Sequence, residues 1–250
     1  MKLLRIFALA VAPALISAVA IAAQDPPPLP GKAAIKQLVI EVLDENPELL
    51  IDALEKLRDK AQADQKQDIK KPLGELRREL ERDPNTFIAG NPQGDITVVE
   101  FFDYRCGYCK KADPIVQQLL KTDGRVRLAL KEFPILGPDS LFASRAAIAS
   151  MAQGKYSALH SALMAAQGAL GEERVLRIAA DAGLDVAKLR QDMNSPKVEK
   201  TIARNREVAR MLGISGTPAF IIGDTLEPGV IDLEQMQWLV DSAREDCQTC

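Results

Sequence analysis

The spacing of apolar residues predicts that residues 32–83 are helical. Apolar side chains recur there every three or four positions, which places them on one face of a helix. They are Ile35, Leu38, Val39 and Val42, then Leu50, Ala53, Leu54 and Leu57, and after a polar stretch Leu73, Leu76 and Leu80. A helix with a polar middle cannot build its own core, so its stripes must contact the following domain or other subunits. We favour oligomerisation over a solvated spacer helix, because the stripes have few local partners.

The pattern changes to mixed α/β after a turn-rich stretch at residues 83–94. Runs of β-branched and aromatic residues predict strands at 96–102, 126–133, 218–223 and 228–232. Helical periodicity predicts helices at 107–122, 140–152, 155–166, 172–182, 185–192, 196–211 and 233–245. This order of elements predicts an α/β sheet with an all-helical insertion.

The N-terminus has the pattern of a secretory signal peptide. Lys2 and Arg5 precede an apolar run that ends in the small-residue sequence Ala20-Ile21-Ala22. An uncleaved membrane anchor is the alternative, but the run is shorter than the roughly 20 residues that a bilayer span needs. We therefore predict a cleaved signal peptide at 1–23 and a stiff proline-rich linker at 24–31. Export to an oxidising compartment allows disulfides to form and persist.

Composition and charge exclude several classes of function. Removing the signal peptide leaves 32 − 2 = 30 basic residues against 35 acidic ones, a net charge of −5. No cluster of lysine and arginine with interleaved aromatic residues is present, so we predict no nucleic-acid partner. A single histidine and scattered methionines give little material for a metal-storage protein.

Two cysteines three positions apart are the strongest chemical signal in the chain. Cys106 follows a predicted buried strand and stands where a helix begins, a position that stabilises a thiolate. A thiolate attacks a disulfide sulfur to form a mixed disulfide, and Cys109, one helical turn on, can resolve it. Gly107 keeps the turn tight and Tyr108 adds an aromatic contact surface.

Two other interpretations of the cysteines stay open at this point. A structural zinc site needs four ligands, which the second pair, Cys247 and Cys250, could complete. A structural disulfide between Cys106 and Cys109 is the other. We interpret Cys247 and Cys250 as a terminal disulfide or a solvated thiol pair, and we predict neither a metal site nor a cofactor.

Four segments in order resemble the DsbA-like branch of the thioredoxin-fold thiol–disulfide oxidoreductases. They are "VVEFFDYRCGYCKK", Pro114 five residues after the second cysteine, "KEFPILGPDSLFASRAA" (131–147) and "GISGTPAFIIG" (213–223). The resemblance covers residues 90–245. The stretch "IKQLVIEVLDENPELLIDALEKL" also resembles the N-terminal region of the ScsC-type (suppressor of copper sensitivity) members, some of which form trimers through it.

The resemblance implies a thioredoxin-like domain at 86–250 with a helical insertion at about 138–212, preceded by a helical oligomerisation segment at 32–85. Carried over residue by residue, Cys106 is the nucleophile and Cys109 the resolving thiol. Thr217 and Pro218 form a cis-proline loop that offers a backbone edge to the substrate. Gly107 and Tyr108 complete the substrate contacts.

A proton carrier for Cys109 is also implied, because many thioredoxin-like proteins have a buried acidic group for this purpose. Glu100 and Glu132 are the candidates. We interpret His160, the single histidine, as a packed residue on a helix surface rather than as a catalytic base.

The residues around the cysteines bear on the direction of electron flow. The Gly-Tyr dipeptide lacks a histidine that would stabilise the Cys106 thiolate, and a threonine precedes the proline, features that favour a disulfide isomerase or reductase. Several active sites in one oligomer also raise the effective concentration around a misfolded client. The alternatives are a DsbA-like dithiol oxidase and a copper-tolerance protein that binds Cu(I) through the reduced cysteine pair. We expect a periplasmic homo-oligomer, by guess a trimer, that acts on unfolded or wrongly disulfide-bonded proteins and exchanges electrons with a membrane redox partner.

Overall fold

The structure, a computed structural model, describes residues 31–246. The chain divides into two compact units between Lys56 and Leu57. The predicted signal peptide, the predicted linker up to residue 30, and both Cys247 and Cys250 lie outside the described residues.

The N-terminal unit consists of helix α1 (Lys32–Glu45) and the beginning of helix α2 (Glu48–Arg82). Asn46 ends α1, because its backbone N–H and its side-chain amide both donate to the carbonyl of Val42 at 3.0 Å. No residue of α1 is buried. The predicted apolar stripes are present and exposed, with Leu38 63% and Leu54 58% accessible to solvent.

A five-stranded sheet forms the centre of the second unit. Its strands are β1 (Phe87–Gly90), β2 (Ile96–Phe102), β3 (Val126–Glu132), β4 (Ala219–Ile222) and β5 (Thr225–Pro228). Their order across the sheet is β1-β3-β2-β4-β5. Strands β2 and β3 are parallel, and the other neighbours are antiparallel. Every residue of β2 and β3 is buried. The burial of β2 on both faces explains its mostly apolar sequence, whereas β3 also buries the charged residues Arg127, Lys131 and Glu132.

Helices cover both faces of this sheet. They are α3 (Gly107–Thr122), α4 (Pro138–Ser150), α5 (Tyr156–Ala165), α6 (Glu172–Asp181), α7 (Val186–Asp192), α8 (Pro196–Met211) and α9 (Leu233–Asp246), with a short 3₁₀ turn at Met151–Gln153. Because successive side chains of a strand point to opposite faces, Val98 and Phe102 join the cluster under α3, α4, α5 and α9. Val99 and Phe101 join the second cluster, under α2 and α8.

The predicted α/β sheet with an all-helical insertion is confirmed, and the strand at 96–102 and the helix at 107–122 have the predicted bounds. Two strands differ from the prediction. Strand β1 lies inside the stretch read as turns, where its Phe87 pairs with Leu130 of β3. Strand β5 covers 225–228 rather than 228–232, because the turn after β4 is tight and brings Thr225 opposite Ile222.

The second half of α2 belongs to the sheet-containing unit. Four of its side chains are buried in the cluster against β2, β3 and β4: Ile69, Leu73, Leu76 and Leu80. Lys131 of β3 adds a polar contact, since its ammonium donates to the carbonyl of Glu79 at 2.9 Å. The predicted boundary between residues 85 and 86 therefore differs from the observed division, because these apolar residues have the sheet as their partner.

Truncation of Leu73 tests this assignment. Leu73 is 1% exposed, so Leu73→Ala should lower the free energy of unfolding by about 2–5 kcal/mol, the usual cost of an uncollapsed cavity in a core. Urea denaturation followed by circular dichroism measures the change. Met211→Ala is the control, because Met211 is 49% exposed at the end of α8 and should change stability by less than about 0.5 kcal/mol. Equal effects of the two substitutions would contradict the assignment.

Candidate active site

The two cysteines of the motif lie in the first turn of α3, directly after β2. Cys106 is the N-cap residue of α3, and Cys109 lies one turn further on. Both are free thiols in this structure. Cys106 is 7% exposed and Cys109 is 0% exposed, so one thiol reaches the surface and the other lies beneath it. Pro114 lies inside the same helix.

The chain brings Thr217 to the outer thiol from 111 residues away. The Sγ of Cys106 donates to the carbonyl oxygen of Thr217 at 3.1 Å. The Thr217–Pro218 peptide bond is cis, as the resemblance implies. The carbonyl of Pro218 in turn accepts from the backbone N–H of Gly229 at 2.8 Å, which ties this loop to the end of β5.

Gly107 and Tyr108, the other predicted contact residues, are both exposed beside Cys106. A side chain at Gly107 would meet no atom within 4 Å, so the surface next to the thiol is open. Tyr108 is 63% exposed, and the ammonium of Lys111 lies 5.4 Å from its ring centroid, a cation–π contact. The structure therefore places an aromatic ring and a cation beside the outer thiol.

The inner thiol of Cys109 is held in its protonated form. Burial raises its pKa, and the nearby carboxyl of Glu100 raises it further. The backbone N–H of Asp103 lies 3.5 Å from the Sγ of Cys109 and donates to it, which lowers the pKa by less than burial raises it. Removal of the Cys109 proton therefore needs a base or a change in its surroundings during exchange.

Glu100 is the carboxyl whose charge raises the pKa of Cys109. It lies on β2 with Val98 and Phe102, on the face that α3 covers. Its side chain is 3% exposed, and its Oε1 has no hydrogen-bond partner. Burial, followed by repulsion from Asp113, raises its pKa to about 8. A carboxyl with this pKa can exchange a proton near neutral pH.

Glu132, the other predicted carrier, belongs to a different cluster. Its Oε1 accepts hydrogen bonds from the hydroxyls of Tyr104 at 2.9 Å and Tyr156 at 2.8 Å. Burial raises its pKa to about 8. The Tyr104 hydroxyl also lies 3.0 Å from Nδ1 of His160. These contacts make Glu132 part of the packing between β3 and the helical insertion.

His160 is a packed residue of α5, as predicted, but it lies in the interior of the domain rather than at its surface. Its side chain is 5% exposed, and its ring stacks on Tyr156 and meets the edges of Phe102 and Tyr104. Burial lowers its pKa to about 4, so the ring is neutral at physiological pH. The helical spacing of α5 could predict that Tyr156 and His160 share a face, but not that this face meets Phe102 and Tyr104.

Lys110 and Asp103 are two residues of the quoted motif to which the sequence analysis assigns no role. The ammonium of Lys110 donates to the carbonyls of Leu163, Met164 and Ala166 at 2.8, 3.1 and 2.7 Å. It thereby caps the C-terminal end of α5 and ties α3 to the helical insertion. Asp103 is fully buried and accepts several hydrogen bonds. Only their positions next to the cysteines could have drawn attention to them.

Residues 31–246 can be searched for metal-binding clusters and for membrane-spanning helices. Within that range, no group of three or more His, Cys, Asp or Glu side chains is arranged to hold a metal ion. The four-cysteine alternative needs Cys247 and Cys250, which lie outside it. None of the helices described there is long and apolar enough to cross a bilayer.

The raised pKa of Glu100 predicts a specific pH dependence of stability. The carboxyl ionises near 4.5 in the unfolded chain and near 8 in the folded one, so folding favours the protonated form. Its stabilising contribution to the free energy of unfolding is fully present below pH 4.5. It decreases by about 4 kcal/mol as the pH rises to 8. Above pH 8 the loss is complete.

Glu100→Gln should flatten this part of the stability profile of the reduced protein, measured by urea denaturation between pH 4.5 and 8.5. Part of the slope should remain, because Glu132 has a pKa raised in the same direction. Exposed Glu234 provides the control, and Glu234→Gln should leave the profile unchanged. An unaltered slope in Glu100→Gln would show that Glu100 is ionised in the folded protein at neutral pH.

Two family matches cover most of the described chain. The DSBA-like thioredoxin domain matches residues 97–241. The copper resistance protein ScsC N-terminal domain matches residues 32–64. The first match contains both cysteines and the Thr217–Pro218 loop, and the second contains α1 and the exposed stripes.

Solved structures agree with these matches. A thioredoxin-like oxidoreductase from Silicibacter pomeroyi DSS-3 is 49% identical, with 68% of this chain and 99% of that one covered at a TM-score of 0.68. Proteus mirabilis ScsC in a transitional conformation is 28% identical, with 86% and 97% covered at a TM-score of 0.66. A curated relative, the Na(+)/H(+) antiporter NhaA 3 of Salinispora tropica, is 30% identical over 158 residues, which are 62% of this chain. The match spans only 24% of the antiporter's length.

The family matches, the sheet order and the helical insertion agree with one another. They confirm the thioredoxin-like fold, and the N-terminal helices correspond to the ScsC segment. A buried thiol beneath an outer thiol, next to a cis-proline loop, fits disulfide exchange. The chain belongs to the DsbA-like thioredoxin domain family, as a thiol–disulfide oxidoreductase of the DsbA/ScsC type.

Proposed function

We propose that this protein is a periplasmic disulfide isomerase and reductase that acts on unfolded or wrongly disulfide-bonded proteins through Cys106 and Cys109. The observation that carries the proposal is the pairing of an outer and an inner thiol. Cys106 keeps a small exposed area and lies 3.1 Å from the carbonyl of Thr217, while Cys109 is fully buried one turn behind it.

Exchange begins when the Cys106 thiolate attacks one sulfur of a client disulfide. A new S–S bond joins Cys106 to the client as the client's own S–S bond breaks, and the second client sulfur leaves as a thiolate. In isomerisation, another client thiolate attacks this mixed disulfide and releases Cys106 as a thiolate. No net electrons are transferred.

In reduction, Cys109 resolves the mixed disulfide instead. Its thiol loses a proton and attacks the Cys106 sulfur, so that the Cys106–Cys109 disulfide forms and the client leaves with two thiols. Two electrons pass to the client, and a membrane dithiol partner returns the enzyme to the reduced state. Glu100 accepts the Cys109 proton when its carboxyl is ionised, which its pKa of about 8 allows near neutral pH.

Four residues line the approach of the client in this proposal. Thr217 and Pro218 offer a backbone edge next to the Cys106 sulfur. Gly107 leaves the approach open because it has no side chain, and exposed Tyr108 supplies aromatic contact area.

The N-terminal unit supports isomerisation over simple oxidation. Its helices expose apolar side chains such as Leu38 and Leu54, and the same segment matches the ScsC N-terminal domain. We propose that these stripes pair in a homo-oligomer, by guess a trimer, which places several dithiols around one client. A DsbA-like oxidase is the alternative, with electrons flowing from the client to the protein.

Export through a cleaved signal peptide at residues 1–23 is part of the proposal, since stable disulfide chemistry needs an oxidising compartment.

Copper tolerance is a second candidate function. Two free thiols one helical turn apart are soft ligands suited to Cu(I), and the ScsC match carries a copper-resistance description. Copper titration of the reduced protein, with and without Cys106→Ser, measures that binding. No cofactor is needed for the exchange steps.

The burial of Cys109 predicts unequal thiol reactivity. In a Cys247→Ser/Cys250→Ser background, reduced protein at pH 6 should be alkylated by iodoacetamide at Cys106 at least about tenfold faster than at Cys109. The reason is the raised pKa and complete burial of the inner thiol. Peptide mass spectrometry over time gives both rates. Equal rates, or faster labelling of Cys109, would contradict the nucleophile assignment.

Deletion of residues 24–56 from the exported chain tests the link between oligomerisation and isomerisation. The deletion removes the exposed stripes but keeps Leu73 and Leu80, which the sheet buries. We expect light scattering to show a monomer that still reduces insulin. This monomer should refold scrambled ribonuclease at least about fivefold more slowly than the intact chain does. The intact chain should act faster on scrambled than on reduced ribonuclease.

Three outcomes would count against the proposal. An unchanged mass after the deletion would remove the oligomer. Full refolding of scrambled ribonuclease by the monomer would separate isomerisation from oligomerisation. Preference of the intact chain for reduced ribonuclease would favour the oxidase.

A further inference from the structure

Asp103 connects the active-site turn to a separate surface segment. Its carboxylate is 0% exposed. One oxygen, Oδ1, accepts from the backbone N–H of Arg105 at 2.8 Å and from the hydroxyl of Ser140 at 2.7 Å. The other, Oδ2, accepts from the backbone N–H groups of Ile135 and Leu136 at 2.9 and 3.0 Å.

The segment held in this way carries two exposed apolar side chains. Ile135 is 38% and Leu136 44% exposed, and we call this pair the apolar rim. A third tie comes from Arg105, whose guanidinium donates to the carbonyl of Leu136 at 2.7 Å. Since Arg105 directly precedes Cys106, the rim is attached to the residue next to the outer thiol.

The hydrogen bonds of the Asp103 carboxylate should hold this segment firmly. Hydrogen bonds to an ionised carboxylate are stronger than those between neutral groups, and a buried donor left without an acceptor is costly. The backbone N–H of Asp103 also donates to the Sγ of Cys109 at 3.5 Å. One residue therefore contacts the inner thiol through its backbone and fixes the rim through its side chain.

We propose that Asp103 is a positioning residue that holds the apolar rim beside Cys106, where the rim contacts an apolar side chain next to the cysteine of the client. The inference rests on the proposed function, in which Cys106 attacks a disulfide of an unfolded protein. Strands β2 and β3 are parallel, so Cys106 and the rim both follow the carboxyl ends of strands at the same edge of the sheet. A client disulfide at the Cys106 sulfur is therefore at the edge that carries the rim. Unfolded clients expose apolar residues beside their cysteines, and contact with the rim removes apolar area from water on both sides.

Two synthetic peptides provide the test, each with a single cysteine disulfide-bonded to glutathione. In one peptide leucines flank the cysteine, and in the other serines do. The measured quantity is the ratio of kcat/KM for the leucine peptide to that for the serine peptide. Both peptides meet the same fraction of folded, reactive protein, so a general loss of structure or of thiol reactivity cancels in the ratio.

Wild-type protein should prefer the leucine peptide by about fivefold to tenfold, the size expected for partial burial of a leucine side chain. Ile135→Ser/Leu136→Ser should bring the ratio close to one. Asp103→Asn should do the same, because a carboxamide has one acceptor oxygen and one NH₂ group. It can serve the turn or the rim, and losing either breaks the connection between them.

Trp238→Ser is the matched control for removal of exposed apolar area. Trp238 is 65% exposed on α9, near Ile96 and Ile222, at the end of the sheet opposite Cys106. Its substitution should leave the ratio at the wild-type value.

Each result has a definite meaning. A wild-type ratio near one overturns the inference but leaves the proposed function standing, whereas a wild-type protein that forms no Cys106 adduct with either peptide overturns the proposed function. A wild-type ratio in the double rim variant overturns the rim, and a wild-type ratio in Asp103→Asn overturns its positioning role. If Asp103→Asn does not accumulate as folded protein, the double rim variant decides the inference.

Discussion

The burial of β2 on both faces is the constraint on which the site depends. The strand lies between β3 and β4, and all seven of its residues are buried. One face packs under α3 and α9 and the other under α2 and α8. Because its length and direction are fixed in this way, the chain leaves the sheet at Phe102 and presents Cys106 at the start of α3. The same burial places the carboxyl of Glu100 out of contact with water, under the helix that carries the dithiol.

The two thiols differ in burial because of their positions at the start of α3, where the chain leaves β2. Cys106 reaches the surface next to the carbonyl of Thr217. Cys109 is enclosed, and both burial and the carboxyl of Glu100 raise its pKa. A thiol that resists ionisation attacks slowly, which lengthens the life of a mixed disulfide and gives a client thiolate time to attack it. This asymmetry fits thiol–disulfide exchange in general, because the arrangement of the pair is common to oxidases, reductases and isomerases.

Local sequence pattern predicted the elements that carry the chemistry. Strand β2 and helix α3 had their observed bounds, since one is a continuous β-branched and aromatic run and the other has clear helical spacing. The Thr217–Pro218 loop came from resemblance, because no local pattern links it to Cys106 across 111 residues. Strand β1 was missed because its four residues are only partly buried or exposed and lie among turn-forming residues.

The sequence could not predict which side chains contact one another across the tertiary structure. Helical spacing marked Leu73 as part of an apolar stripe, but it could not say that the stripe meets the sheet rather than another subunit. Both Glu100 and Glu132 were candidates by position in strands. Only the structure separates them: two tyrosine hydroxyls bind Glu132, whereas the charge of Glu100 raises the pKa of Cys109. Asp103 stands in the quoted motif, but its role could not be predicted, because the backbone groups that it binds in Ile135 and Leu136 lie 32 and 33 residues further along the chain.

In the proposed cycle Cys106 forms the covalent link to the client, which Cys109 releases in reduction and a client thiolate releases in isomerisation. Trapping tests this most directly, with Cys109→Ser in a Cys247→Ser/Cys250→Ser background incubated with scrambled ribonuclease and analysed by mass spectrometry after non-reducing digestion. We expect a stable disulfide between Cys106 and a ribonuclease cysteine, and no such adduct when Cys106 is replaced by serine instead. Absence of the adduct in Cys109→Ser, or equal trapping by Cys109 when Cys106 is replaced, would contradict it.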